Sequence, residues 1–255
     1  FLDQLGAFIG PVMLFFISLV QGTGNLFSTY RFSFAVLGIP ALMTIGLVIF
    51  AKRKYPNPEM FEKAEEEKQA FQFHTSFAFY MIAISLFAFG FADFTLITLH
   101  AAKTRAFPET TLSLLYAGAM AVDAFAALFF GWLFDKIGLK ALIFSTLCST
   151  FFAGFVFLTG NPWMIGIGIL LWGIGMGAQE SIMKSAVSKI IPKSMRSSGF
   201  GIFETGFGIA WFLGSWLLGV LYDIDVLYLT AVSVGAQLLA IVFYLLCIRK
   251  AAQED

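Results

Sequence analysis

The sequence predicts an all-α membrane protein, a polytopic bundle of about eight helices that cross the bilayer. Hydrophobic residues make up 59% of the chain and charged residues only 13%, and the mean hydropathy is +0.84. Soluble domains are roughly 45–50% apolar and about 25% charged, so this chain has too few polar side chains to cover itself in water. Its apolar runs are about twenty residues long, the length at which a helix spans the hydrocarbon core. The period-two alternation that is typical of a transmembrane barrel is absent from the sequence.

Eight apolar runs are long enough to predict membrane-spanning helices. The predicted spans are residues 5–20, 32–51, 75–99, 111–134, 141–159, 164–190, 199–221 and 226–248. The chain opens at Phe1, with neither an initiator methionine nor a secretory signal pattern. We therefore expect a fragment whose beginning is missing.

A long polar segment, residues 52–74, separates the second span from the third. It opens with three basic residues, and Pro56 and Pro58 then interrupt the helical pattern. Residues 59–72 form a charged, helix-favouring stretch. We interpret the whole segment as a solvated linker.

Basic residues are distributed unevenly between the two sides of the predicted bundle. With the linker on the cytoplasmic side, twelve Lys and Arg residues fall inside, and only Arg31, Lys103 and Arg105 fall outside. Cytoplasmic loops carry this excess. The sequence therefore predicts an integral protein of the plasma membrane with a cytoplasmic C-terminus.

Several function classes find no support in the sequence. The formal net charge is zero and no basic stripe is present, so nucleic acid is not expected as a partner. Cys148 and Cys247 both lie inside apolar runs, without disulfide or metal-ligand spacing. A membrane enzyme would need clustered His, Asp or Cys at an interface, and none appears. We expect no catalytic residues, no metal and no cofactor.

Two spans end with the same residue pattern. Residues 130–135 and 218–223 both read apolar, Gly, apolar, Leu, aromatic, Asp. The copies are three spans apart, which places them on opposite sides of the membrane, as in the inverted repeats of many transporters. Chance is the alternative, because Gly and Asp both favour helix ends.

The first of these copies continues into a longer motif. Residues 131–140, GWLFDKIGLK, resemble the G-x-L-x-D-[RK]-x-G-x-[RK] loop of the major facilitator superfamily. Members carry this loop between helices 2 and 3 and, usually degraded, between helices 8 and 9. If this is the second copy, the eight spans are helices 5 to 12. The resemblance then implies three parts: 1–51, the end of an N-terminal half; 52–74, the central linker; and 75–255, a C-terminal six-helix half. Helices 1 to 4 of the parent chain become an expected partner.

The residue types in the loop suit a tight cytoplasmic turn. Gly138 can take the positive φ that such a turn needs, and Asp135 can neutralise a helix N-terminus. Lys136 and Lys140 would hold the turn at the anionic inner face. The resemblance implies that the loop, from Gly131 onward, latches the inward side of a transporter and loosens during its cycle. An ordinary tight turn is the alternative.

The first span carries a second element of the same resemblance. Residues 6–11, GAFIGP, are similar to the G-x-x-x-G-P element on helix 5 of the family's antiporters. Gly6 and Gly10 lie on one face, where we expect a neighbouring helix to approach closely, and Pro11 permits bending. The sequence departs from the pattern after the proline. Antiport is therefore only a mild preference, with generic small-residue packing as the alternative.

Charged side chains inside predicted spans are the candidates for binding a proton or a solute. Such a group costs roughly 2.5–3.5 kcal/mol in hydrocarbon and usually faces a partner or a cavity. The strongest candidate is Asp123, at the middle of span 111–134 among apolar neighbours. Burial disfavours the charged form of a carboxylate, which is the condition for a proton-coupling group. A structural hydrogen bond to another helix is the alternative.

Four other charged residues extend this set. Asp93 follows Gly90, where a break in the helix would open backbone groups to a cavity. Glu180 and Lys184 have the i,i+4 spacing of an intrahelical pair, which would either be a compensated structural pair or a switch. Glu204 lies about one turn inside its span and either contributes to the site or reaches the cytoplasmic interface.

The resemblance implies a secondary active transporter that moves a small solute by alternating access. Proton coupling would use the carboxylates above, and membrane lipid, the solute and protons would be the partners. A membrane receptor or assembly protein that does not transport is the alternative on the same fold.

Overall fold

The computed structural model describes residues 2–21, 26–57, 74–108 and 111–254, and its regular structure there is entirely helical. The linker stretch 59–72 lies outside these residues. The helices are α1 (Leu2–Gln21), α2 (Leu26–Lys54), α3 (Thr75–Gly90), α4 (Phe94–Lys103), α5 (Leu112–Ile137), α6 (Lys140–Ser149), α7 (Phe152–Phe157), α8 (Pro162–Ile190), α9 (Arg196–Ile224) and α10 (Val226–Glu254). The predicted all-α fold is confirmed.

Seven stretches of the described chain are long and apolar enough to cross a membrane. They are Arg31–Lys54, Thr75–Lys103, Leu112–Ile137, Lys140–Phe157, Pro162–Ile190, Arg196–Ile224 and Val226–Gln253. These stretches match seven of the eight predicted spans. The remaining prediction, span 5–20, falls on α1, whose shorter apolar stretch is Leu5–Ile17. The protein is therefore an integral membrane protein.

Two of the predicted spans are broken helices. Span 75–99 consists of α3 and α4, and Phe91 and Asp93 between them have extended backbone conformations. The break expected after Gly90 is thus present. The predicted span 141–159 consists of α6 and α7, with a turn between them.

In the C-terminal region, α5, α6 and α7 pack on α8, with smaller contacts from α9 and α3. The most extensive helix contacts are those of α5 with α8 and of α10 with α3. Glycine allows the first contact, because a Cβ on Gly177 would lie 2.7 Å from Oδ1 of Asp123, and one on Gly173 would lie 2.7 Å from the carbonyl oxygen of Ala119. The two glycines are one turn apart, so α5 and α8 approach closely over a whole helical turn.

Among the described residues, the first two helices contact this bundle mainly through α1. α1 packs against α5, and Pro11 lies inside α1 without ending it. A Cβ on Gly6 or Gly10 would meet no heavy atom within 4 Å among the described residues. The close helix approach that we expected at these glycines is therefore not formed in this part of the molecule.

Candidate functional site

An open cavity of about 740 Å³ lies where α3 breaks into α4. The helices around it are α4, α5, α8 and α9. The cavity is lined by Asp93, Phe94, Thr95, Thr98, Leu99, Ala102, Leu112, Ser113, Tyr116, Trp172, Met176 and Trp211. Its volume is within the range of about 300–1,000 Å³ that is typical of small-molecule sites.

Side chains from other helices hold the backbone of the break. The indole Nε1 of Trp172 on α8 donates to the carbonyl oxygen of Ala92 at 2.8 Å. The hydroxyl of Ser233 on α10 donates to the carbonyl oxygen of Gly90 at 2.6 Å. Non-helical backbone at membrane depth is tolerated only where it is buried in protein or lines a cavity. Both carbonyl oxygens are hydrogen-bonded within the protein, so the break meets this condition, and the two bonds fix its position.

The carboxylate of Asp93 is held at the same place. Asp93 is the residue before α4, and its Oδ1 accepts a hydrogen bond from Nε1 of Trp211 on α9 at 2.8 Å. The side chain lines the large cavity and also a smaller one of about 180 Å³ between α4 and α9. The sequence predicted a break near Asp93 and a cavity beside it, and the structure places the carboxylate between two cavities.

Aromatic rings form much of the cavity wall. The ring of Phe94 lies 4.9 Å from that of Tyr116 and 5.1 Å from that of Trp172, between centroids. Behind them, the ring centroid of Phe91 lies 5.5 Å from that of Trp172 and 5.9 Å from that of Trp211, with both pairs of rings tilted. The rings connect α4, α5, α8 and α9, so the wall is continuous around the break.

The sequence ranked Asp123 first, and the structure places it behind this wall. Its side chain is buried, in the close contact with Gly177 of α8, and it lines neither of the two cavities above. Tyr116, which does line the large cavity, is near enough to Asp123 and Glu180 to interact electrostatically with both. Glu180 is exposed on α8.

An ion pair joins α8 to α9 on the side of the linker. Nζ of Lys184 lies 3.2 Å from Oε1 of Glu204, and both side chains are more than half exposed. The intrahelical pairing of Lys184 with Glu180, which the i,i+4 spacing allows, stays a prediction; the structure shows a contact of Lys184 with the neighbouring helix. Sequence spacing alone could not indicate this contact, because it depends on how α8 and α9 lie side by side.

The loop motif forms the tight turn that the sequence predicted. Gly138 has φ +61°, and a Cβ there would lie 2.8 Å from Nζ of Lys189. Nζ of Lys136 lies 4.1 Å from the ring centroid of Trp132, so one base of the motif rests on an aromatic ring. Asp135 is exposed, and α6 begins without a side-chain cap. The latch function of the loop stays a prediction.

Comparison with known proteins assigns the family. Residues 70–254 match the sequence profile of the Major Facilitator Superfamily. The chain belongs to this superfamily. The match confirms the resemblance that rested on the loop at residues 131–140. The superfamily comprises membrane transporters rather than enzymes.

Three curated proteins are similar over almost the whole chain. They are uncharacterized proteins of Mycobacterium bovis and of two strains of Mycobacterium tuberculosis, each 31% identical over 247 residues, or 94% of this chain. The chain spans 59% of the length of these relatives. No solved structure gives a significant match to it.

Sequence reasoning on this major facilitator chain missed part of the site. It did not select Tyr116, Phe94 or Ser233, and it gave Trp172 no role. Trp172 carried a usable signal, because a buried indole N–H normally finds an acceptor, and a helix break nearby supplies one. Phe94 carried none, since phenylalanine is the commonest aromatic residue of the chain, with 32 copies.

Proposed function

We propose that the protein works in a secondary active transporter, which moves a small solute by alternating access and couples it to protons. One observation carries this proposal: a helix break holds the carboxylate of Asp93 in the wall of a cavity, bonded to Trp211 of a facing helix. Discontinuous helices of this kind form the substrate and ion sites of many transporters. We place the solute in the cavity and the coupling proton on Asp93.

The hydrogen bond between Asp93 and Trp211 supplies a coupling mechanism. An ionised carboxylate accepts a charge-assisted bond, which is about twice as strong as a neutral one. Protonation of Asp93 removes the charge and weakens its bond to the indole. The relative position of α4 and α9 therefore responds to the proton, and both helices line the cavity.

The other charged residues take supporting roles in this proposal. Asp123 and Glu180 exchange protons with the cavity through the region of Tyr116, whose electrostatic proximity to both supports the assignment. The pair of Lys184 and Glu204 opens and closes with the inner side of the bundle. The same proposal includes a mild preference for antiport, a location in the plasma membrane with a cytoplasmic C-terminus, and helices 1 to 4 of the parent chain as the partner of these helices.

The test is a solute-induced pH change in vesicles that carry the full-length parent protein. A panel of drugs, organic acids and sugars is applied to the wild type and to Asp93→Asn and Asp123→Asn. Asp225→Asn is the matched control, because its side chain is exposed, lies outside the cavity, and keeps as Asn the Oδ1 that accepts from the backbone N–H of Leu227. We expect proton movement with one class of solute, lost in Asp93→Asn and retained in the control.

Three other results would change the proposal. Unaltered coupling in Asp93→Asn with loss in Asp123→Asn would move the proton to the buried carboxylate. Equal loss in the control variant would trace the effect to folding. If the wild type shows no pH change or flux with any solute of the panel under any ion gradient, transport is contradicted and the receptor or assembly protein is favoured.

A further inference from the structure

The charge around the large cavity is negative. Among its lining residues, all of them described, Asp93 is the one charged side chain. Two further carboxylates, Asp123 and Glu180, lie within electrostatic reach of the lining residue Tyr116. A low-dielectric wall strengthens the attraction that such charges exert on a cation. An anionic solute would meet repulsion at the same place.

Two basic side chains on the helices that line the cavity pair with other groups. Lys184 forms its ion pair with Glu204 at 3.2 Å. Lys103, at the end of α4, lies 4.0 Å from a carboxylate oxygen of Asp223 and 4.7 Å from the ring centroid of Tyr222. Neither lysine lines the cavity. The carboxylate of Asp93 therefore keeps its attraction for a positively charged solute.

The cavity wall suits the body of such a solute. Four aromatic residues line it: Phe94, Tyr116, Trp172 and Trp211. The ring centroids of Tyr116 and Trp172 lie 4.9 and 5.1 Å from that of Phe94. Aromatic faces attract ammonium groups, and tryptophan does so best. Met176 adds a polarizable thioether that adapts to different shapes.

From these observations we propose that the cavity selects a monovalent organic cation, an amine or quaternary ammonium with an aromatic or alkyl body. Its charged head faces Asp93, and its body lies against the rings of Phe94, Tyr116 and Trp172. This assignment rests on the proposed function, since it names the class of solute for the same cavity.

The test compares three probes with one common body. Phenylbutylammonium, phenylbutanol and phenylvalerate share a phenylbutyl body and carry a cationic, neutral or anionic head. Their binding to the purified full-length parent, in an uncharged detergent, is measured by isothermal titration. The variants are Asp93→Asn and Phe94→Leu, with Asp225→Asn as the matched control for the loss of a carboxylate.

The expected result is selective binding of the cation. Asp93→Asn should weaken it about tenfold or more, because a desolvated charge pair is lost. Phe94→Leu should weaken it about threefold to tenfold through the lost ring. Binding of the neutral probe should change little in Asp93→Asn, which shows that this variant is folded. It should fall in Phe94→Leu about as much as that of the cation does, because the two probes share the phenylbutyl body. The control should bind the cation as the wild type does.

The remaining outcomes separate this inference from the proposed function. Equal binding of the three probes, or a preference for the anion, would overturn the cation assignment. Proton-coupled flux of a sugar or an organic acid alone would also overturn it and leave transport standing. Selective cation binding that depends on Asp93, without any flux in vesicles, would support the cavity assignment and contradict transport.

Discussion

The contact between α5 and α8 gives the sharpest test of the packing. Adding a methyl group at Gly177 would place a Cβ 2.7 Å from Oδ1 of Asp123, where ordinary Cβ contacts are 3.4–4 Å. Two further atoms near that Cβ belong to the backbone of Asp123, which cannot rotate away. The helices must therefore separate by about 1 Å, and such overpacking costs roughly 1–3 kcal/mol.

A second glycine of the same helix supplies the control. Among the described residues, no heavy atom lies within 4 Å of a Cβ added to Gly166. Gly166→Ala and Gly177→Ala both gain the same helix propensity, so the difference between the two variants isolates the overpacking.

The assay is thermal unfolding of the detergent-purified parent protein, at one scan rate because membrane proteins often unfold irreversibly. We expect the midpoint of Gly177→Ala to lie roughly 2–12 °C below that of Gly166→Ala, from a slope of about 2–4 °C per kcal/mol. Equal midpoints would refute the close approach of α5 and α8. They would also remove the reason for the burial of Asp123.

Three further perturbations test other parts of the structure. Trp172→Phe should lower the unfolding midpoint more than the exposed Trp163→Phe, because it leaves a buried carbonyl at the helix break without its donor, at about 1–3 kcal/mol. Gly138→Ala should destabilise the turn by about 1–3 kcal/mol in the same assay, since its backbone conformation is rarely open to other residues, and an unchanged midpoint would contradict that strain. Lys184→Glu and Glu204→Lys should each reduce solute flux while the double swap restores it; additive losses would show that the pair is not coupled.

Local features were predictable from the sequence because their causes are local. The apolar run lengths predicted the spans, and the positive φ of Gly138 follows from glycine at that position. The site itself was less accessible. The bonds that hold the break join residues 80 to 143 positions apart, from Trp172 and Ser233 to the carbonyls at 92 and 90. No periodicity within one helix records which donor meets which acceptor.

The ranking of the carboxylates shows the same limit. Asp123 ranked first because it lies at the centre of an apolar run, but centrality along one helix does not say which face meets a cavity. The structure buries it against Gly177 on α8, whereas Asp93 reaches the cavity through an irregular segment. The break is thus the feature that brings a carboxylate to this cavity, and the role of Asp123 stays a prediction.

Helix α9 connects the cavity to the ion pair. Trp211 donates to Asp93, and Glu204 pairs with Lys184 of α8. The two α9 residues are two turns apart, roughly 10 Å along the axis and on nearly the same face. A rotation or tilt of α9 would therefore change both contacts together. In the proposed mechanism, release of the indole on protonation of Asp93 would move α9 and thereby act on the ion pair at the linker side of the bundle.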